Sequence, residues 1–172
     1  FKYGRIDISF SVPEITGVWP ALWMMPEKSI YGNWPRSGEI DIVETINEKS
    51  DELVTTIHYG HDYHRQISKT TFLNQLTKLS NPIDHNKISL IWEDEYFEWL
   101  LNDQLVFKVN FNEVENLEPN PFLEEFYLLI NVAVGGNWPG TPNSTMYCNS
   151  RKSCPDVKKL IVDYIAYYEK IN

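Results

Sequence analysis

Apolar and polar residues alternate at every second position along much of this chain, and that period restricts the fold more than any other feature. In "RIDISFSV", Ile6, Ile8, Phe10 and Val12 alternate with Arg5, Asp7 and Ser9. In "VTTIHYG", Val54, Thr56 and His58 share one face of a strand, and Thr55 and Ile57 share the other. "KISLIW" and "EYFEWLL" follow, and "NDQ" (Asn102 to Gln104) then turns the chain into "LVFKV" with the chemistry of a β-hairpin. "FYLLINVAV" is nearly all apolar and reads as a strand covered on both faces, and "KKLIVDYIAYYEK" is a last, aromatic strand. Between Thr70 and Asn86 the pattern weakens, which leaves room for a short helix or a loop. Helical periodicity is scarce, and no repeat, low-complexity tract or linker breaks the sequence. The expected fold is all-β, one antiparallel sandwich domain over residues 1–172.

Proline and glycine gather between these strands. "SVPEITGVWPALWMMPEKSIYGNWPRSGE" holds four prolines, three glycines and three tryptophans, and "GGNWPGTPN" repeats the same chemistry. Proline inside a sheet removes a ladder hydrogen bond, so these segments are turns or edges. Their indoles are then candidates to cover a ligand. The 8 Phe, 10 Tyr and 6 Trp exceed what one core of this size needs, which points the same way. The net charge of −9 disfavours nucleic acid and anionic membranes, whose affinity comes from lysine and arginine, and suits a neutral substrate such as a glycan. No apolar run approaches the roughly 18 residues of a membrane span. The two cysteines, Cys148 and Cys154 in "CNSRKSC", could close a small disulfide loop or remain thiols, and their spacing leaves both open.

The chemistry concentrates in "GEIDIVE", Gly38 to Glu44. Glu39 and Asp41 fall on one face and Ile40 on the other, facing the core. Glu44, however, has the wrong parity because one residue too many precedes it. A β-bulge around Ile42–Val43, with Val43 as the extra residue, would return Glu44 to the face of Glu39 and Asp41. Three acids sharing a face push one another's pKa values apart, so that one stays protonated. Two carboxyl groups about 5–5.5 Å apart are the requirement of retaining glycoside hydrolysis. Ordinary acids on a solvated strand, or a calcium site, are the other readings of this spacing, although no loop glycine at calcium-loop spacing accompanies them.

"SGEIDIVE", preceded by "GVWPALWMMP" and "YGNWP", resembles the bulged signature E-x-D-x-x-E of glycoside hydrolase family 16, in its laminarinase (endo-β-1,3-glucanase) branch. "YGRIDISF", "TIHYG", "FYLLINVAVGGNWPG" and "VDYIAYY" extend the similarity over nearly the whole chain. The resemblance implies a concanavalin-like jelly roll whose concave face is an open cleft for a glucan chain. It implies Glu39 as nucleophile, Glu44 as general acid/base and Asp41 as the helper between them. It implies sugar contacts at Trp34, Trp138 and His58, with Trp19, Trp23 and Asn131 as further candidates and Arg5 as a weaker one. At least one of Trp19 and Trp23, which share a strand face, is expected in the cleft.

The implied protein is a secreted, monomeric endo-β-glucanase that cleaves internal β-1,3 or mixed β-1,3/1,4 bonds. Its partner is a polysaccharide. A glucan-binding module without catalysis and a transglycosylase of the same fold are the alternatives, the first opposed by the presence of all three acids. Domains of this family usually carry several strands before "YGR", and the sequence opens inside a strand without them. Missing N-terminal strands, exposed sheet edges and a longer parent protein are therefore expected. Calcium-binding members draw ligands from that early segment and from an acid like Asp163, so no metal and no cofactor are expected here.

Overall fold

The computed structural model describes residues 1–13, 15–46, 51–73, 85–142 and 159–170. Cys148 and Cys154 lie outside the described residues, as do residues 74–84 of the segment with weak periodicity.

Among the described residues, ten strands form two antiparallel five-stranded sheets. They are β1 (Gly4–Ser11), β2 (Val18–Pro26), β3 (Glu39–Glu44), β4 (Glu52–Tyr59), β5 (Arg65–Phe72), β6 (Asn86–Trp92), β7 (Tyr96–Leu101), β8 (Gln104–Asn110), β9 (Phe126–Val134) and β10 (Ile161–Tyr168). One sheet runs β10-β1-β6-β7-β8 and the other β5-β4-β3-β2-β9. This is the expected sandwich. The β7–β8 hairpin turns at Asn102 and Asp103, both with positive φ, as a two-residue primed turn requires.

Alternate residues of the facing sheets close the core. Ile6, Ile8 and Phe10 of β1, Ile88, Leu90 and Trp92 of β6, and Phe97 and Trp99 of β7 meet Leu22, Met24, Ile40 and Ile57 from the other sheet. Phe97 is the hub of its aromatic part. Its ring centroid lies 5.0 to 5.6 Å from those of Trp92, Trp99, Phe111 and Phe122. Gly38, at the entry to β3, sits against this cluster with φ at 82°. A Cβ there would approach Phe122, Pro121 and Phe126 to 3.1–3.2 Å, so a side chain would strain both backbone and packing.

Three expectations need correction. "VWPALWMMP", part of a segment read as turns or edges, is β2, an interior strand paired with both β3 and β9. "RQISKTTF" is a full strand, β5, which absorbs Thr70 and Phe72 from the segment read as helix or loop. It is an edge strand whose alternation is mostly polar, with Ile67 and the terminal Phe72 as its strongly apolar residues, so the period carried little contrast. β9 is not covered on both faces. It is the opposite edge of its sheet, and Ile130, Val132 and Val134 are 37–62% exposed among the described residues. β10 forms the corresponding edge of the other sheet and exposes Ile161, Tyr164, Ile165 and Tyr168.

Truncating the aromatic hub tests this core. Phe97→Ala is expected to lower unfolding free energy by about 3–5 kcal/mol in denaturant titration, and a loss under about 1 kcal/mol would mean that Phe97 does not organise it.

Candidate active site

β3 carries the extra residue where the parity of the acids requires one. Against β2, Trp23 pairs with Asp41, Leu22 with Val43 and Ala21 with Glu44, so Ile42 is passed over. Against β4, Glu39 pairs with His58, Asp41 with Thr56 and Glu44 with Val54, with the shift between Asp41 and Glu44. The unpaired residue is thus Ile42 rather than Val43. Both are buried, at 0% and 3% exposure, while Glu39, Asp41 and Glu44 emerge on the outer face of the sheet. Apolar burial of two successive side chains holds the bulge in place.

Glu39 and Glu44 line a cleft of about 640 Å³ on that face. Its walls include Trp19, Trp34 and Trp138, His58 and His64, Val54 and Thr56 from β4, and Gln66, Ser68 and Thr70 from β5. Two indoles hold the two glutamates. Trp34 Nε1 donates to Glu39 Oε2 at 2.6 Å, and Trp19 Nε1 donates to Glu44 Oε1 at 2.8 Å. Trp138 packs edge-on against Trp19, with centroids 4.8 Å apart and planes at 87°. His58 Nε2 stands 3.1 Å from Asp41 Oδ2 and 3.8 Å from Glu39 Oε1. The approach to Asp41 is out of line for a hydrogen bond, so that buried oxygen has no donor.

These surroundings shift all three acids upward. Burial, then the neighbouring Asp41 charge, raises Glu39 to about 7. Burial raises Asp41 to about 7 as well, and the two carboxyls titrate as an interacting pair. Glu39 also receives the Trp34 N–H, which favours its ionised form, whereas Asp41 Oδ2 has no donor. Burial and the Asp41 charge raise Glu44 to about 8, against the opposing effect of the Trp19 N–H. Glu44 therefore keeps its proton to higher pH than Glu39 does. A nucleophile beside a general acid needs that division.

Of the residues singled out in the sequence, Glu39, Glu44, Trp19, Trp34, Trp138 and His58 surround the cleft, and Asp41 lies beneath its floor. Trp23 and Asn131 bond each other, Trp23 Nε1 to Asn131 Oδ1 at 2.7 Å, on the same face but outside the cleft wall. Arg5 belongs to the opposite sheet, where it pairs with Asp7 and Asp103. Asp163 accepts hydrogen bonds from Ser9 and His85. Glu39, Asp41 and His58 are the one set of described groups whose ligand atoms gather within 4.8 Å, a mixed set closer to transition-metal than to calcium chemistry. Sequence reading missed His64 and the polar row of β5. Only the regular spacing of Gln66, Ser68 and Thr70 could have indicated that row.

A family model described as XgeA-like, catalytic GH16 domain matches residues 6–90. Glucan endo-1,3-beta-glucosidase A1 of Niallia circulans is 35% identical over 187 residues, covering 98% of this chain and 24% of the relative. The glucan endo-1,3-beta-glucosidase of Cryptopygus antarcticus is 34% identical over 143 residues, covering 80% of this chain and 53% of the relative. The laminarinase catalytic domain of Thermotoga maritima MSB8 superposes with a TM-score of 0.82 at 30% identity, over 100% of this chain and 66% of that one. The chain thus spans between a quarter and about half the length of these two curated relatives.

The raised acids also set a pH dependence of stability. Their folded-state pKa values exceed those of the unfolded chain, so the unfolded state loses its protons first as pH rises. Their contribution to stability is greatest below the ordinary carboxylate range, falls as pH climbs toward about 8, and is level beyond it. Glu44→Gln keeps an acceptor for Trp19 and removes one of these charges. Its melting temperature should match the parent at acid pH and exceed it by about 5 °C at alkaline pH. An unchanged difference across that range would show that Glu44 is not held protonated.

Proposed function

Because this chain belongs to glycoside hydrolase family 16, we propose that it is the catalytic part of a retaining endo-β-glucanase acting on internal β-1,3 bonds, with mixed β-1,3/1,4 glucans as a further substrate. The observation that carries this reading is the bulge-aligned row of acids, in which Glu44 holds its proton to higher pH than Glu39. In the proposed roles, Glu39 attacks the anomeric carbon while Glu44 gives its proton to the departing glycosidic oxygen, leaving a glycosyl ester on Glu39. Asp41, in its protonated form, would donate a hydrogen bond to Glu39 and moderate its charge.

Esterification removes the Glu39 charge that helps to keep Glu44 protonated. Glu44, now a carboxylate, takes a proton from water as the water oxygen attacks the anomeric carbon, and Glu39 leaves with its electron pair. The sugar departs with its configuration retained. Trp34 and Trp138, 48% and 41% exposed at the cleft, offer faces for pyranose rings, and the row Gln66, Ser68 and Thr70 offers partners for hydroxyls. The same reading makes the protein secreted and monomeric, and its reaction needs no metal or cofactor.

Reducing-end release from soluble β-1,3-glucan should fall on the order of a thousandfold in Glu39→Gln and in Glu44→Gln. Proton NMR of the first product should show the β-anomer. Treatment with a chelator should leave the parent rate unchanged. Binding without turnover by the parent would point instead to a recognition module, and longer chains among the products to transglycosylation.

A further inference from the structure

His58 is held from both ends of its ring. Its Nε2 faces the Glu39–Asp41 pair, and its Nδ1 lies 2.8 Å from Nε2 of His64. The two imidazoles are 5.0 Å apart between centroids with planes 29° from parallel, and the Trp34 ring lies 4.7 Å from His64. His64 therefore touches neither carboxyl, yet it closes a chain that runs Trp34–His64–His58 back to the acid that Trp34 itself holds. We propose that His64 is a positioning residue for hydrolysis, one that fixes the orientation and tautomer of His58 and through it the geometry of the Glu39–Asp41 pair. This rests on the catalytic reading above.

The contact can serve His58 in either of its states. When the His58 proton is on Nε2, its Nδ1 accepts from the Nε2–H of His64. When His58 carries both protons, its Nδ1–H donates to His64, whose own proton then sits on Nδ1. Burial and the adjoining His58 lower the His64 pKa, which favours the neutral ring that both arrangements require. Without this contact His58 could turn about its χ2 bond, and its Nε2 would leave the acids. Loss of a bond to an ionisable group that orients a reacting pair affects turnover more than substrate binding.

Phenylalanine at this position keeps a ring beside Trp34 and removes the hydrogen bond, whereas glutamine can donate or accept where Nε2 stood. His64→Phe is expected to lower kcat about tenfold on β-1,3-glucan with KM changed less than about twofold. His64→Gln is expected to recover kcat to within about threefold of the parent. In long-range ¹H–¹⁵N spectra of the protein, the His58 ring should show one dominant tautomer in the parent and a mixture in His64→Phe. Parental kcat in His64→Phe overturns the proposal, as does a loss confined to KM, which would make His64 a sugar contact. Equal damage from glutamine and phenylalanine, or an unchanged His58 tautomer, overturns it too. A parent that hydrolyses no β-glucan overturns the functional reading and the catalytic part of this proposal together, while the spectra still decide whether His64 orients His58.

Discussion

Three carboxyl groups emerge from one face of a single short strand, and most of what surrounds β3 offsets the cost of keeping them there. Buried acids close together disfavour one another's ionisation, and burial raises each further. Among the described residues, no arginine or lysine pairs with them, and such pairing would hold all three ionised. The neighbourhood supplies two indole N–H groups, one to each glutamate, and places an imidazole beside Glu39 and Asp41. The indoles are weak enough donors to leave protons in place.

The aromatic side chains divide along the same line. Phe97, Trp92, Trp99, Phe111 and Phe122 pack as a cluster of edge-on, tilted and stacked rings between the sheets, where ring area is removed from water. Trp19, Trp34 and Trp138 stand on the far side of one sheet, partly open to solvent. Gly38 joins the two populations. It presses against the buried cluster while its neighbour Glu39 opens into the cleft, so the position of an acid is referred directly to the rigid part of the core.

The fold was legible wherever burial imposed a two-residue period, as in β1, β4, β6 and β7, and the primed turn at Asn102–Asp103 announced its hairpin. β9 was misread because an unbroken apolar run looks the same whether its second face is covered or left at an edge. β5 was missed because an edge strand facing a polar cleft has little apolar contrast to betray its period. The acids were legible because their parity was wrong for a regular strand. His64 was not, since it sits in the connection between β4 and β5 and meets His58 only through the register of folded strands. Arg5 showed the opposite error, a polar residue in an apolar strand that serves ion pairs on the other sheet.

The bulge has a consequence for how such a strand can change. Removing Ile42 or Val43 would leave the pattern E-x-D-x-E, and in a regular strand those three acids already share a face. A single in-frame codon deletion would thus keep the reactive groups on one side while taking a core residue away and relaxing the local bend and twist. The extra residue therefore does not encode the chemistry. It encodes curvature of the cleft floor, so the sequence can vary the shape of the cleft separately from the face on which the acids stand.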